Sequence, residues 1–133
     1  MFNAESQPGF KTRERKTKQT GKFSFGRRPT LDVEATPMGT YQAIVYRAIG
    51  EQWYRQCDLN RDLIVTGTVR IRILINKNGK ISSMRQTSRV GASEVQKSFT
   101  FLAIKLARLP AMPPEVRSML VGDSLEMYFD FNF

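Results

Sequence analysis

The chain has 133 residues, a length at which a single hydrophobic core is usual. The sequence contains no histidine and one cysteine, Cys57, so an internal disulfide is impossible. Histidine is the commonest general base and metal ligand, and a zinc site needs four ligands. We therefore expect a protein that is not an enzyme and that holds no metal and no cofactor.

The net charge of +9 is concentrated near the N-terminus. Residues 1–30 hold eight Lys/Arg against two Glu, a net charge of +6, and the apolar residues there follow no helical or strand period. We therefore predict a basic, largely disordered arm over residues 1–38 and one folded domain over residues 39–133. The cations of the arm are Lys11, Arg13, Arg15, Lys16, Lys18, Lys22, Arg27 and Arg28.

Three hypotheses fit this basic arm. It can be a solvated linker that its own charge keeps extended. It can be attracted to an anionic membrane surface. It can also bind nucleic acid, because Phe10, Phe23 and Phe25 are interleaved with the cations and aromatic rings stack on bases.

The folded domain opens on a predicted helix from Tyr41 to Gln56, where apolar side chains recur at helical spacing, with Thr40 as its N-cap. Gly50 lies inside this helix and costs about 1 kcal/mol there, so we expect another element to pack closely against it. We expect Cys57 to be a small buried apolar residue.

Two strands and a hairpin follow. Alternating apolar residues predict strands from Thr66 to Asn76 and from Lys80 to Val90, and the dipeptide Asn78-Gly79 between them is a strong hairpin signal. The second strand is rich in Ser, Thr, Gln and Arg, which suits an exposed edge.

A second helix follows the hairpin. Ser93 and Gln96 are spaced as a capping box, and Pro110 ends the helix. Its predicted buried stripe consists of Val95, Phe99, Leu102, Ala103 and Leu106. Pro114 is placed to open a short helix after it.

The last strand, Leu125–Phe133, shows the cleanest alternation in the sequence. The crossover that precedes it favours antiparallel pairing with the first strand, which gives the strand order 2-1-3. Arg70 and Arg72 would then face Glu126 and Asp130 across neighbouring strands. The predicted fold class is α+β: a three-stranded antiparallel sheet packed against two main helices.

The last strand would form an edge of this sheet, and it has no Pro or Lys to block pairing with another strand. We predict that a partner segment pairs with this edge, and the candidate partner-binding residues are Leu125, Glu126, Met127, Tyr128, Phe129, Asp130, Phe131 and Asn132. If Glu126 and Asp130 are free to contact the partner, a basic or polar peptide is favoured. The alternative is an edge that is simply solvated or covered by the N-terminal segment.

Four stretches of the domain together resemble the C-terminal domain shared by TonB and TolA. These stretches are Y..IVYRAIGEQWY (Tyr41–Tyr54), GTVRIRILINKNGKI (Gly67–Ile81), SFTFLAIKLARLPAMPPEV (Ser98–Val116) and LEMYFDFNF (Leu125–Phe133). The sequence shows neither a membrane anchor nor a Pro/Lys- or Ala/Lys-rich spacer, and Cys57 alone cannot form a TolA-like disulfide. A stand-alone or truncated relative of the two proteins therefore fits better than either one.

The resemblance implies a protein-binding module of the bacterial cell envelope, periplasmic or facing the periplasm from the inner membrane. TonB adds a short peptide of an outer-membrane receptor as a strand at its sheet edge, which implies a protein or peptide partner here, such as an outer-membrane protein. A homodimer through the strand edge is a further option. The alternative function is a small basic nucleic-acid-binding protein that uses its N-terminal arm.

Overall fold

The structure, a computed structural model, describes residues 36–133. The elements run in the order α1 (Pro37–Leu59), a 3₁₀ helix (Arg61–Leu63), β1 (Thr68–Asn76), β2 (Ile81–Val90), α2 (Glu94–Leu106), α3 (Pro114–Arg117) and β3 (Ser124–Asn132). The strands form one antiparallel sheet in the order β2-β1-β3. The predicted α+β class and strand order are therefore confirmed, while the eight cations of the predicted arm lie outside the described residues.

The two main helices cover one face of this sheet. The indole of Trp53 on α1 packs against the rings of Phe131 and Phe133, with centroid distances of 5.2 and 5.1 Å. Phe99 on α2 meets Phe133 at 5.9 Å. The helices also contact each other, because Trp53 Nε1 donates a hydrogen bond to Thr100 Oγ1 over 3.1 Å. The core therefore lies between the helical layer and the buried face of the sheet.

Helix α1 begins four residues earlier than the sequence predicts. Its N-cap is Thr36, whose Oγ1 accepts a hydrogen bond from the Gly39 N–H over 2.9 Å, and Pro37 takes the first helical position. The predicted cap Thr40 lies inside the first turn. Proline is well tolerated at that position because its missing N–H would have no helical partner there.

The buried face of helix α2 overlaps the predicted stripe only at Phe99 and Ala103. Its buried residues are Gln96, Phe99, Thr100, Ala103 and Ile104. Val95, Leu102 and Leu106, which were predicted to be buried, are each more than two-fifths exposed. The buried face differs from the predicted stripe because Gln96 and Thr100 have hydrogen-bond partners. A polar group can be buried when it is paired.

Gly50 does not mark a close approach between elements. Among residues 36–133, no atom other than those of the adjacent residues and the local helix backbone lies within 4 Å of the position that a Cβ at Gly50 would occupy. The expectation of tight packing at this glycine is therefore wrong.

The local signals of the hairpin and of the second cap are confirmed. Asn76 Oδ1 accepts hydrogen bonds from the N–H groups of Asn78 and Lys80, and Gly79 adopts a φ of 85°. Ser93 and Gln96 form the predicted capping box. Within residues 36–133, no helix combines the length and the apolar character that crossing a bilayer requires.

Candidate functional site

The outer strand β3 follows its neighbour β1 without interruption. Nine consecutive residue pairs join the two strands in one register, from Thr68 opposite Asn132 to Asn76 opposite Ser124. Next to the end of this ladder, Gly67 and Phe133 exchange both of their backbone hydrogen bonds, over 2.7 and 3.4 Å. Because such pairs alternate along an antiparallel ladder, the odd-numbered residues of β3 direct their N–H and C=O groups toward β1. The even-numbered residues, including Glu126, Tyr128 and Asn132, direct theirs toward the outer edge.

The odd-numbered side chains hold β3 against the helical layer. Five of them are buried and share the core with α1 and α2: Leu125, Met127, Phe129, Phe131 and Phe133. Phe129 and Phe131 stack at 6.0 Å, and Tyr46 of α1 stacks on Phe129 at the same distance. The backbone of β3 therefore lies on a closely packed layer of buried side chains.

The even-numbered side chains face away from the helices and bond back to β1. Arg70 Nε and Nη2 donate to the two carboxylate oxygens of Asp130 over 2.6 and 3.1 Å. Arg72 bonds to Glu126, and this hydrogen bond lowers the pKa of the Glu126 carboxyl. The predicted cross-strand charge pairing is confirmed. Both carboxylates have arginine partners within the sheet, so the condition that favoured a basic peptide is not met.

Tyr128 has a different setting from the two acids beside it. Its ring is nearly half exposed, and its hydroxyl donates a hydrogen bond to Glu126 Oε2 over 3.3 Å. At the end of the strand, Thr68 Oγ1 donates to Asn132 Oδ1 over 3.0 Å. The exposed side of β3 therefore offers one aromatic surface among charges that are already compensated.

The opposite edge strand, β2, is irregular. Its register against β1 shifts twice, between Arg70 and Ile71 and between Leu74 and Ile75. At each shift the unpaired residue of β2 is a hydroxyl residue, Ser82 or Thr87, and its Oγ lies 3.4 Å from a β1 carbonyl oxygen. Such bulges bend a strand and interrupt the even row of backbone groups that a further strand needs.

The side chains of β2 complete this contrast. Most of the strand is exposed, as its sequence predicts. Arg89 pairs with Glu94 over 3.1 Å and donates to the Ala92 carbonyl over 3.0 Å. Gln86 carries a buried Oε1 that accepts no hydrogen bond from the part of the chain described. The second edge is therefore less regular and less well supported than the first.

Outside β3, the reactive groups of the described residues include one thiol and several carboxylates. Cys57 is buried as predicted, and burial raises the pKa of its thiol well above the usual value, which disfavours the nucleophilic thiolate. Residues 36–133 contain no group of three or more Cys, Asp or Glu side chains placed to hold a metal ion.

The structure thus brings the predicted site residues Leu125–Asn132 together as one continuous strand and divides them into a buried set and an edge-forming set. The sequence prediction missed the two bulges of β2, although Ser82 and Thr87 are a weak signal for them. The arm cations lie outside the described residues, so their membrane and nucleic-acid roles stay predictions. Comparison of the sequence with protein-family models and with curated proteins finds no match.

Proposed function

We propose that this domain is a non-enzymatic protein-interaction module that captures an extended segment of a partner protein as a fourth strand beside β3. The observation that carries the proposal is the contrast between the two edges. The β1–β3 ladder runs through nine residue pairs in one register, whereas the β1–β2 ladder shifts twice. A regular edge can template a further strand, and a bulged edge resists it.

The capture mechanism uses the backbone groups that point away from β1. The outward N–H and C=O groups of Glu126, Tyr128 and Asn132 lie two and four residues apart, which matches the two-residue repeat of a partner strand. Each such hydrogen bond contributes on the order of 1 kcal/mol net. The buried row beneath keeps β3 extended before the partner arrives, which reduces the entropy lost on binding.

Side-chain selection at this edge would depend on shape more than on charge. Arg70 and Arg72 compensate Asp130 and Glu126 within the sheet, and Tyr128 is the exposed aromatic residue between the two acids. We therefore expect a partner strand that places an apolar or aromatic side chain beside Tyr128. Its affinity should change little between low and physiological salt, since compensated charges add little to the attraction.

The resemblance to the TonB and TolA C-terminal domains supports the same function and implies a cellular compartment for it. It implies capture of a peptide segment of a cell-envelope protein, such as an outer-membrane protein, on the periplasmic side. This assignment of compartment and partner class belongs to the proposal.

Two substitutions at one position test the proposal. Tyr128→Pro removes an outward N–H and leaves the ladder to β1 intact, whereas Tyr128→Thr removes the same ring but keeps the N–H. The probe is a peptide of about ten residues, selected on the wild-type protein from a random display library. We expect Tyr128→Pro to weaken its binding in calorimetry at least roughly tenfold more than Tyr128→Thr does.

The folded state of each variant is checked by thermal unfolding before binding is compared. Equal binding by the proline and threonine variants would show that the edge N–H is not used and would refute strand capture at β3. Loss of binding in both variants to the same extent would assign recognition to the tyrosine ring instead.

A further inference from the structure

Helix α1 lies along β3 and runs in the same direction. Tyr46 stacks on Phe129 at 6.0 Å. About two helical turns later, Trp53 packs against Phe131 and Phe133 at 5.2 and 5.1 Å. A helix advances about 1.5 Å per residue and a strand about 3.3 Å, so both elements cover a similar distance between these contacts. A position along β3 can therefore be estimated from a position along α1.

The start of α1 lies at the level where β3 begins. Its N-cap, Thr36, precedes Tyr46 by about 15 Å of helix. About four or five residues of a strand span that distance. Counting back from Phe129 along β3, this reaches Ser124 and Leu125, the first residues of the strand.

Contacts at the hairpin end of the sheet agree with this placement. The Tyr41 hydroxyl of α1 donates a hydrogen bond to the Pro110 carbonyl over 2.7 Å. Gly79 of the hairpin packs so closely on the same carbonyl that a Cβ there would lie 2.4 Å from its oxygen. Asn76, where β1 meets this hairpin, pairs with Ser124. The chain therefore enters α1 near the start of β3.

The segment that precedes α1 has the sequence pattern of a short strand. Residues 28–34, RPTLDVE, lie outside the described residues. Leu31 and Val33 alternate with Asp32 and Glu34, which gives the two-residue apolar period of a strand with one buried face. A segment that reaches the start of α1 along β3 runs from the end of β3 toward its beginning. It would therefore be antiparallel to β3, as β1 is.

Pro29 provides an independent check on this pairing. The odd-numbered residues of β3 lie on the helix side and direct their backbone groups toward β1. In an added antiparallel strand with Leu31 and Val33 on the helix side, odd-numbered residues lie opposite them and direct their backbone groups outward. The missing N–H of Pro29 then removes no hydrogen bond to β3. Proline is tolerated on edge strands at such positions, and there it blocks the addition of a further strand.

We infer that residues 28–34 pair with β3 as a fourth strand of the same chain, and that a partner segment must displace them. The inference rests on the proposed function, because it names what the partner competes with. An extended chain needs about three residues to cross the roughly 10 Å between packed layers, so Val33 is expected at the level of Leu125. This register places Thr30 opposite Tyr128.

The charges in this register favour pairing at one end and weaken it at the other. Arg28 would lie opposite Asp130, and opposite charges on neighbouring strands stabilise a strand pair. Asp32 would lie opposite Glu126, and like charges directly opposite destabilise it. Arg72 reduces that repulsion, since it already bonds to Glu126. A strand held in this way can pair with β3 and still be displaced by a better-matched segment.

Attachment to the domain favours this segment over a free peptide of similar fit. Residue 35 alone separates it from the N-cap Thr36. A segment joined through so short a connection has an effective concentration at the edge on the order of millimolar. A partner therefore needs additional contacts to replace it. An aromatic side chain beside the exposed ring of Tyr128, where this segment offers Thr30, would supply one.

Two substitutions of Thr30 in the full chain test the inference. Thr30→Pro removes an N–H that faces β3, and Thr30→Ala keeps it. We expect amide exchange at Tyr128 and Glu126 of the free protein to be at least roughly fivefold faster in Thr30→Pro than in the wild type or Thr30→Ala. The peptide selected for strand capture should slow this exchange further in all three proteins, because it binds more tightly than the segment does.

Two further measurements follow the pairing and its consequence. The Hα atoms of Leu31 and Met127 should give a nuclear Overhauser contact in the wild type and none in Thr30→Pro, because facing residues that share no hydrogen bond have Cα atoms about 4.5 Å apart. The dissociation constant of the selected peptide should fall at least roughly threefold in Thr30→Pro and stay unchanged in Thr30→Ala. The reason is that an occupied edge lowers the apparent affinity. Thermal unfolding shows whether each variant is folded.

The outcomes separate this inference from the proposed function. Equal exchange and equal peptide affinity in the three proteins would overturn the inference, while protection of β3 by the peptide would keep strand capture. If the segment pairs with β3 but no peptide can be selected on the wild type or on Thr30→Pro, the inference holds and the proposed function fails. A contact between Leu31 and Met127 that disappears on dilution, together with a dimer in sedimentation, would assign the edge to the segment of a second copy and overturn pairing within one chain.

Discussion

The two edge strands share one central strand and differ in almost everything else. β3 pairs with β1 through nine residues in one register and rests on five buried apolar side chains. β2 pairs with the other side of β1 through two register shifts, and no residue of β2 is fully buried. The two edges thus differ in the regularity of the ladder and in the packing beneath it, and our proposal assigns strand capture to the regular, packed edge.

The charged residues in the sequence do not distinguish the two edge strands. β3 carries two carboxylates and β2 carries two arginines, so each looks like a charged edge in the sequence. In the structure, both carboxylates of β3 are bonded to arginines of β1, while Arg85 lies directly opposite Arg72. The two carboxylates of β3 are thus neutralised by arginines within the sheet.

The largest expected effect concerns the packing beneath β3. Phe129→Ala should lower the free energy of unfolding by about 3–5 kcal/mol, because it empties a buried site between α1 and the sheet. Thr87→Ala, at a bulge of β2, should change it by less than about 1 kcal/mol, because Thr87 is exposed. Chemical denaturation measures both values. Similar losses of unfolding free energy in the two variants would contradict the proposed difference in packing beneath the two edge strands.

A smaller effect is expected at the one buried acceptor of β2 that lacks a hydrogen bond in the described residues. Gln86→Leu removes this Oε1 and should raise the stability by about 1 kcal/mol. The matched substitution Gln96→Leu should destabilise the domain, because it leaves the bonded groups of Val65 and Ser93 unpaired. Denaturant midpoints of the two variants should shift in opposite directions; a loss of stability in Gln86→Leu would mean that its amide is needed.

The smallest expected effect is a pH dependence on the outer face of β3. Arg72 lowers the pKa of Glu126 below its ordinary value of 4.5, so the folded state holds this carboxylate ionised more readily than the unfolded chain does. The resulting contribution is fully present above the unfolded pKa and is lost as the pH falls through the folded pKa. Thermal unfolding between neutral pH and the acid range should show a small loss that Glu126→Gln removes. An identical profile in that variant would assign the loss to other acids.

Local and alternating signals in the sequence were sufficient for much of the fold. The Asn78-Gly79 turn, the capping box at Ser93 and the alternation of Leu125–Phe133 each depend on residues close together in the chain. The strand order followed from the crossover before β3, which leaves β3 antiparallel to β1. The candidate edge followed from the same alternation.

The features that the sequence did not reveal depend on distant partners. The buried face of α2 includes Thr100, which bonds to Trp53, and Gln96, which bonds to Val65, so apolar periodicity alone identified only Phe99 and Ala103 of that face. The bulges of β2 depend on register against β1. The early start of α1 depends on Thr36 and Pro37, which resemble loop residues until the cap is seen.

The most direct test of the central claim is residue-resolved amide hydrogen exchange with and without the selected peptide. Strand capture predicts slower exchange on binding at Tyr128, Glu126 and Asn132, whose N–H groups point away from β1. Exchange along β2 should stay unchanged. Protection that appears at β2, or at neither edge, while the peptide is bound would contradict capture at β3.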